Sequence, residues 1–233
     1  MNAQQLEREL KKLKDLKRQK EAKRFFKCKK GEYGEGDLFL GIAVPRVREI
    51  AKQFEGMPLI EIKKALNSKW HEVRAAALFV LVAKFQKGSE DEKKEIVDFY
   101  INNTKGINNW DLVDLSAYKI LGEWLKDKKD RNVLYTLAAS GNLWRERIAV
   151  VSTYALIKKN DFKEIFNLSE RFLSHKHDLM HKVCGWMLRE AGKKDEGALL
   201  KFILLHATKM PRTMLRYAIE KLPKDKKVHI LGL

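Results

Sequence analysis

The chain has 233 residues, with 48 Lys and Arg against 31 Asp and Glu, a formal net charge of +17. That length fits one large domain or two small ones, and 45% hydrophobic residues suffice for a core. No apolar run approaches the ~18 residues of a membrane-spanning helix, and Met1-Asn2-Ala3-Gln4-Gln5 has no apolar stretch, so no secretory signal is expected. Two cysteines, Cys28 and Cys184, cannot build a disulfide framework, so a soluble protein of a reducing, cytoplasmic compartment is expected.

In chain order, residues 2–29 read as a basic amphipathic helix whose Leu6, Leu10, Leu13 and Leu16 would cap one end of the fold. Further helices are predicted over 45–54, 59–67, 70–86, 91–102, 110–126 and 131–139. The series continues over 143–158, 161–173, 178–191, 195–206 and 211–222, with a short basic tail over 223–233. Residues 70–86 carry a strong amphipathic pattern. Gly56-Met57-Pro58, Lys87-Gly88-Ser89, Ser140-Gly141-Asn142 and Met210-Pro211 punctuate the helices, and no strand pattern competes. The chain is therefore expected to be all-α.

Charge is concentrated at the two ends. Residues 1–30 hold 12 basic and 4 acidic side chains, a surplus of +8. Residues 201–233 hold 8 and 2, a surplus of +6, which leaves +3 for the 170 residues between. Such charge calls for a polyanionic partner, nucleic acid before membrane.

The helices also repeat. Arg74-Ala75-Ala76-Ala77, Asp114-Leu115-Ser116-Ala117, Arg147-Ile148-Ala149-Val150, Lys182-Val183-Cys184-Gly185 and Arg216-Tyr217-Ala218-Ile219 each set a charged residue before a small or apolar stretch. Their spacings of 40, 33, 35 and 34 predict an α-solenoid of HEAT-like helical repeats, a single domain over 1–233. Small residues would let paired helices approach, and the charged slots would line a concave basic groove. Asp114 stands out in that series, because a carboxylate facing a polyanion costs affinity and needs another purpose.

Trp110 precedes Asp114 by four residues, so the two share a helical face. Trp144 lies three residues before Arg147, and Trp186 stands between Lys182 and Arg189. Indoles interleaved with cations hold bases and sugars against a phosphate backbone. With a carboxylate added, the set fits cleavage of an N-glycosidic bond. The acid would stabilise positive charge on the sugar and orient a water. No lysine stands out as a Schiff-base nucleophile, so a hydrolytic, monofunctional reaction is expected. Arg46 and Arg48, after Pro45 at a helix start, together with Arg74, Arg212 and Arg216 are further candidate DNA contacts. His175, His177, His181 and Cys184 have metal-like spacing, but Cys184 falls in a packing slot, so no metal and no cofactor are expected.

Phe39-Leu40-Gly41-Ile42, Trp110-Asp111-Leu112-Val113-Asp114, Leu121-Gly122, Trp144-Arg145-Glu146-Arg147 and Gly185-Trp186-Met187-Leu188-Arg189-Glu190 resemble the bacterial AlkD family of DNA alkylation repair enzymes. Met210–Ile219 is similar to that family's C-terminal pattern, and the likeness spans roughly residues 20–222. The resemblance implies a HEAT-like-repeat DNA glycosylase that excises positively charged N3- and N7-alkylpurines from double-stranded DNA without a base-receiving pocket. It implies that Trp110 and Trp186 contact the lesion-bearing nucleotide, that Asp114 stabilises the sugar cation, and that Arg147 grips the adjacent backbone. Asn109 stands where some relatives have a second tryptophan, and Lys29–Gly36 differs from relatives in length. A nucleoid-associated monomer is expected. A non-catalytic DNA-binding or damage-recognition solenoid uses the same cations and is discriminated by Asp114; a protein scaffold leaves the basic slots unexplained.

Overall fold

The computed structural model describes residues 1–232 and is all-α; among these residues the only β feature is an isolated bridge between Leu38 and Trp70. The chain divides into two compact units, Met1–Ser116 and Ala117–Leu233.

The first unit contains α1 (Ala3–Lys11), α2 (Leu16–Phe25), α3 (Val44–Lys52), α4 (Leu59–Leu66), α5 (His71–Lys87), α6 (Glu90–Asn102) and most of α7 (Trp110–Ala117). Asn2 and Gln5 form a reciprocal capping box that starts α1, and Asp15 starts α2 by accepting from the Lys17 and Arg18 amides. The expected single helix over 2–29 is thus two helices. The break has a tertiary cause, because the Asp15 amide donates to the Leu40 carbonyl at 3.0 Å and Gln19 Nε2 to the Phe39 carbonyl at 2.6 Å. Leu6 and Leu10 are buried as expected, but Leu16 sits exposed at the start of α2, which buries no residue at all.

The long helix α5 packs against α1, α3, α4 and α6. Every residue from His71 to Val82 is buried, so α5 is a central helix enclosed on all sides and not the amphipathic surface helix that its pattern suggested.

The second unit opens with a π-helical turn (Tyr118–Gly122). It continues through α8 (Glu123–Leu125), α9 (Asn132–Ala138), α10 (Leu143–Lys158), α11 (Lys163–Arg171), α12 (Asp178–Gly192), α13 (Glu196–His206), α14 (Arg212–Ala218) and α15 (Lys224–Leu231). The π turn packs on α10, α10 on α12, and α12 on α14, while α9, α11 and α13 each pack beside that row. This is the helical-repeat arrangement that the spacing predicted. The charged slots Arg147, Lys182 and Arg216 fall on α10, α12 and α14, the successive helices of one row.

Small residues set the spacing within that row. A Cβ on Gly122 would lie 2.4 Å from the Ser152 carbonyl oxygen, and one on Gly185 would lie 2.5 Å from the Met214 carbonyl oxygen. The short basic tail after Pro223 forms α15, and only Leu233 falls outside the described residues.

Candidate nucleic-acid interface

The first unit carries Trp110 and Asp114 one turn apart on α7, both half-buried. The Trp110 indole stacks on Phe26 at 5.3 Å and 30° and meets Phe25 edge-on at 5.6 Å. Phe26 stacks in turn on Phe39 at 5.0 Å, and Phe39 on the His71 ring at 4.6 Å. The indole therefore sits at one end of an aromatic column, its orientation fixed before any ligand arrives.

Beneath the column lies a buried polar cluster that the sequence did not disclose. His71 Nδ1 is 3.2 Å from Asp37 Oδ2, and its Nε2 is 2.8 Å from Asp111 Oδ2. Arg74 Nη2 and Asn108 Nδ2 donate to Asp37 Oδ1 at 2.7 and 3.0 Å. Burial disfavours a charged imidazole, but the Asp111 and Asp37 carboxylates outweigh it and push His71 up to about 9. Burial likewise opposes ionisation of Asp37, and its bond to His71 and the Arg74 charge hold it below the usual carboxylate range. The result is a charged, mutually neutralising cluster that ties the loop after α2 to α5 and α7.

Asn109 belongs to that cluster. It is fully buried, its Oδ1 accepts from the Trp110 amide at 2.8 Å, and its Nδ2 is 3.5 Å from Asp37 Oδ2. The position serves to start α7 and hold Trp110. Glu72 anchors the other side of the loop, accepting from the amides of Leu40, Gly41 and Ile42 at 2.8, 2.7 and 3.2 Å. Gly41 has φ +83°, and a Cβ there would lie 2.3 Å from the Asp15 carbonyl, so the Phe39–Ile42 turn requires glycine. The Lys29–Gly36 segment is a run of tight turns closed on itself, with the Glu32 and Glu35 carboxylates accepting from the Lys29 and Gly31 amides. It delivers Asp37 into the cluster.

Several expected DNA contacts are engaged by partners within the protein. Arg74 is only 5% exposed and is committed to Asp37 and the Ser68 carbonyl, so its phosphate contact is withdrawn in favour of a role in the interior. Arg147, in the second unit, is also 5% exposed, and its Nη1 donates to the Leu179 carbonyl at 2.9 Å. It braces α12 against α10. Arg189 pairs with Glu220 and Glu190, and Arg212 donates to the Leu231 carbonyl at 2.9 Å. Lys182 pairs with Asp178 at 2.7 Å.

Arg212 is nonetheless exposed and Lys182 half-buried, and other candidates also keep a solvent-facing side. Arg46 is exposed beside Glu49, Arg48 is exposed over the Phe79 ring, and Arg216 is exposed. Trp144 and Trp186 are half-buried on α10 and α12. The histidine group is engaged otherwise than as ligands: His175 Nε2 faces Glu146 at 3.1 Å, His177 Nδ1 caps α12, and His181 Nε2 meets the His175 carbonyl. Among the described residues no set of His, Cys, Asp or Glu is arranged to hold a metal ion. No described helix is long and apolar enough to cross a membrane.

An all-α chain with helical repeats, an excess of cations and exposed arginines has the makings of a nucleic-acid-binding repeat protein. The comparisons with known proteins go further. The family model described as "DNA alkylation repair enzyme" matches residues 6–222, and the chain belongs to that family. Membership places the protein in DNA repair, with DNA as its partner. A solved structure described as a predicted DNA alkylation repair enzyme from Enterococcus faecalis shares the fold, with a TM-score of 0.71 and 18% identity over 91% of this chain and 97% of that one. No curated protein matches the chain.

Proposed function

We propose that the protein is a monofunctional DNA glycosylase that hydrolyses the N-glycosidic bond of positively charged N3- and N7-alkylated purines in duplex DNA. The observation that carries the reading is a half-buried carboxylate, Asp114, one helical turn from a pre-oriented indole in a chain of net charge +17. A protein that only binds DNA gains nothing from an acid at that place.

Alkylation at N3 or N7 makes the purine a cationic leaving group, so departure needs no general acid. Positive charge develops on the sugar as the bond stretches, and the Asp114 carboxylate stabilises it while accepting a proton from the attacking water. The Trp110 face, held by Phe26, favours the cationic nucleotide over its neutral parent by cation–π attraction. Trp186 offers a second indole on α12, and Trp144, Arg46, Arg48, Lys182 and Arg216 supply contacts to the duplex. Arg147, buried on α10, supports the contacts of the second unit by holding α12 in place. No amine nucleophile is used, so the product is an abasic site in an unbroken strand.

The test is incubation with a duplex carrying one 7-methylguanine. Free 7-methylguanine should appear, and the strand should break only after alkaline treatment. Strand cleavage without alkali, or a borohydride-trapped protein–DNA adduct, would contradict the hydrolytic reading.

A further inference from the structure

The π-helical turn Tyr118–Gly122 interrupts an otherwise α-helical run, and such turns cluster at functional sites because they re-aim side chains. Here the turn brings Tyr118 edge-on to Tyr154 of α10, with ring centroids 5.4 Å apart at 88°. Close approach of the two backbones allows it. Gly122 leaves room for the Ser152 carbonyl, and Ser152 Oγ lies 3.4 Å from the Ala117 carbonyl.

Lysines lie over both rings. Lys158 Nζ is 5.5 Å from the Tyr118 centroid and 4.9 Å from the Tyr154 centroid, and Lys119 Nζ is 5.4 Å from Tyr118. Lys158 is exposed and both tyrosines are half-buried. No described residue hydrogen-bonds either phenol hydroxyl. The acids on the adjoining turns, Glu123 and Asp127, pair with Lys126 and Lys159. The cluster thus offers the exposed Lys158 ammonium and two phenol O–H donors. Tyr154 follows Arg147 by seven residues on α10, so it continues the face of the charged slot two turns further along.

We propose that Tyr118, Tyr154 and Lys158 form a phosphodiester-binding subsite on the second unit. The two hydroxyls donate to phosphate oxygens, and the ammonium, held in place by the rings, neutralises the charge. The proposal rests on DNA as the partner and is independent of the glycosidic chemistry, since it concerns binding alone.

The experiment measures duplex affinity of the full chain by fluorescence anisotropy across a salt series. Lys158→Gln should weaken binding and reduce the slope of log affinity against log salt by about one. Tyr118→Phe/Tyr154→Phe keeps both rings and should lower affinity roughly three- to tenfold with the slope unchanged. Lys163→Ala, which removes an equal charge from an exposed position on α11, should leave the slope as in the wild type. Wild-type slope and affinity in the Lys158 variant would overturn the proposal. So would a variant that melts earlier but binds unchanged, which would make the lysine only a cap on the rings. Absence of base release in any assay would contradict the glycosylase reading and leave this result untouched.

Discussion

His71 is the residue on which the first unit's polar cluster turns. Folded, it titrates near 9, against 6.5 for the free side chain. A group whose folded pKa is raised contributes fully below the unfolded value and loses that contribution as pH climbs through the folded one. Stability should therefore fall between about pH 6.5 and 9, by on the order of 3 kcal/mol for the His71 contribution. Thermal melts across that range check it. His71→Gln should melt lower at pH 6 and show a shallower pH dependence than the wild type. Equal slopes in the two proteins would remove His71 from the account. None of this was readable in the sequence, because Asp37, His71 and Asp111 are separated by 34 and 40 residues and only folding brings them together. By contrast, Trp110 and Asp114 were legible at once, since four-residue spacing on a helix fixes a shared face without tertiary information.

At the scale of elements, periodicity located the helices from α3 onward closely and failed where tertiary bonds override it. The expected helix over 2–29 breaks because Asp15 and Gln19 bond the Phe39–Leu40 backbone, a contact no local pattern reports. The same limit misread Arg74, whose place in the charge series matched Lys182 and Arg216 while its guanidinium turned inward to Asp37. Small residues were a better guide, since Gly122 and Gly185 mark real backbone approaches. Gly122→Ala forces a methyl against the Ser152 carbonyl and should cost about 1–3 kcal/mol, read from chemical denaturation. An unchanged midpoint would mean that the π turn can relax away from α10.

At the scale of the whole molecule, charge is the governing quantity. Half of the basic surplus at the N-terminal end sits on α2, where Lys17, Lys20 and Lys23 are exposed and no side chain is buried. Such a helix contributes little to the core and much to the field around it. Replacing those three lysines with Gln should leave the melting temperature within a few degrees and lower the salt dependence of duplex binding by up to about three counterions. An unchanged slope would place the DNA-facing charge elsewhere.

The central claim is that Asp114 is the acid of a glycosidic hydrolysis, and single-turnover base release from a 7-methylguanine duplex by the wild type and Asp114→Asn tests it most directly. The substitution preserves size and removes charge. The account predicts release by the wild type, a fall of about a hundredfold or more in the variant, and duplex affinity that holds or rises once a carboxylate no longer faces the phosphates. Equal rates in the two proteins, or no release by either with tight binding intact, would contradict it.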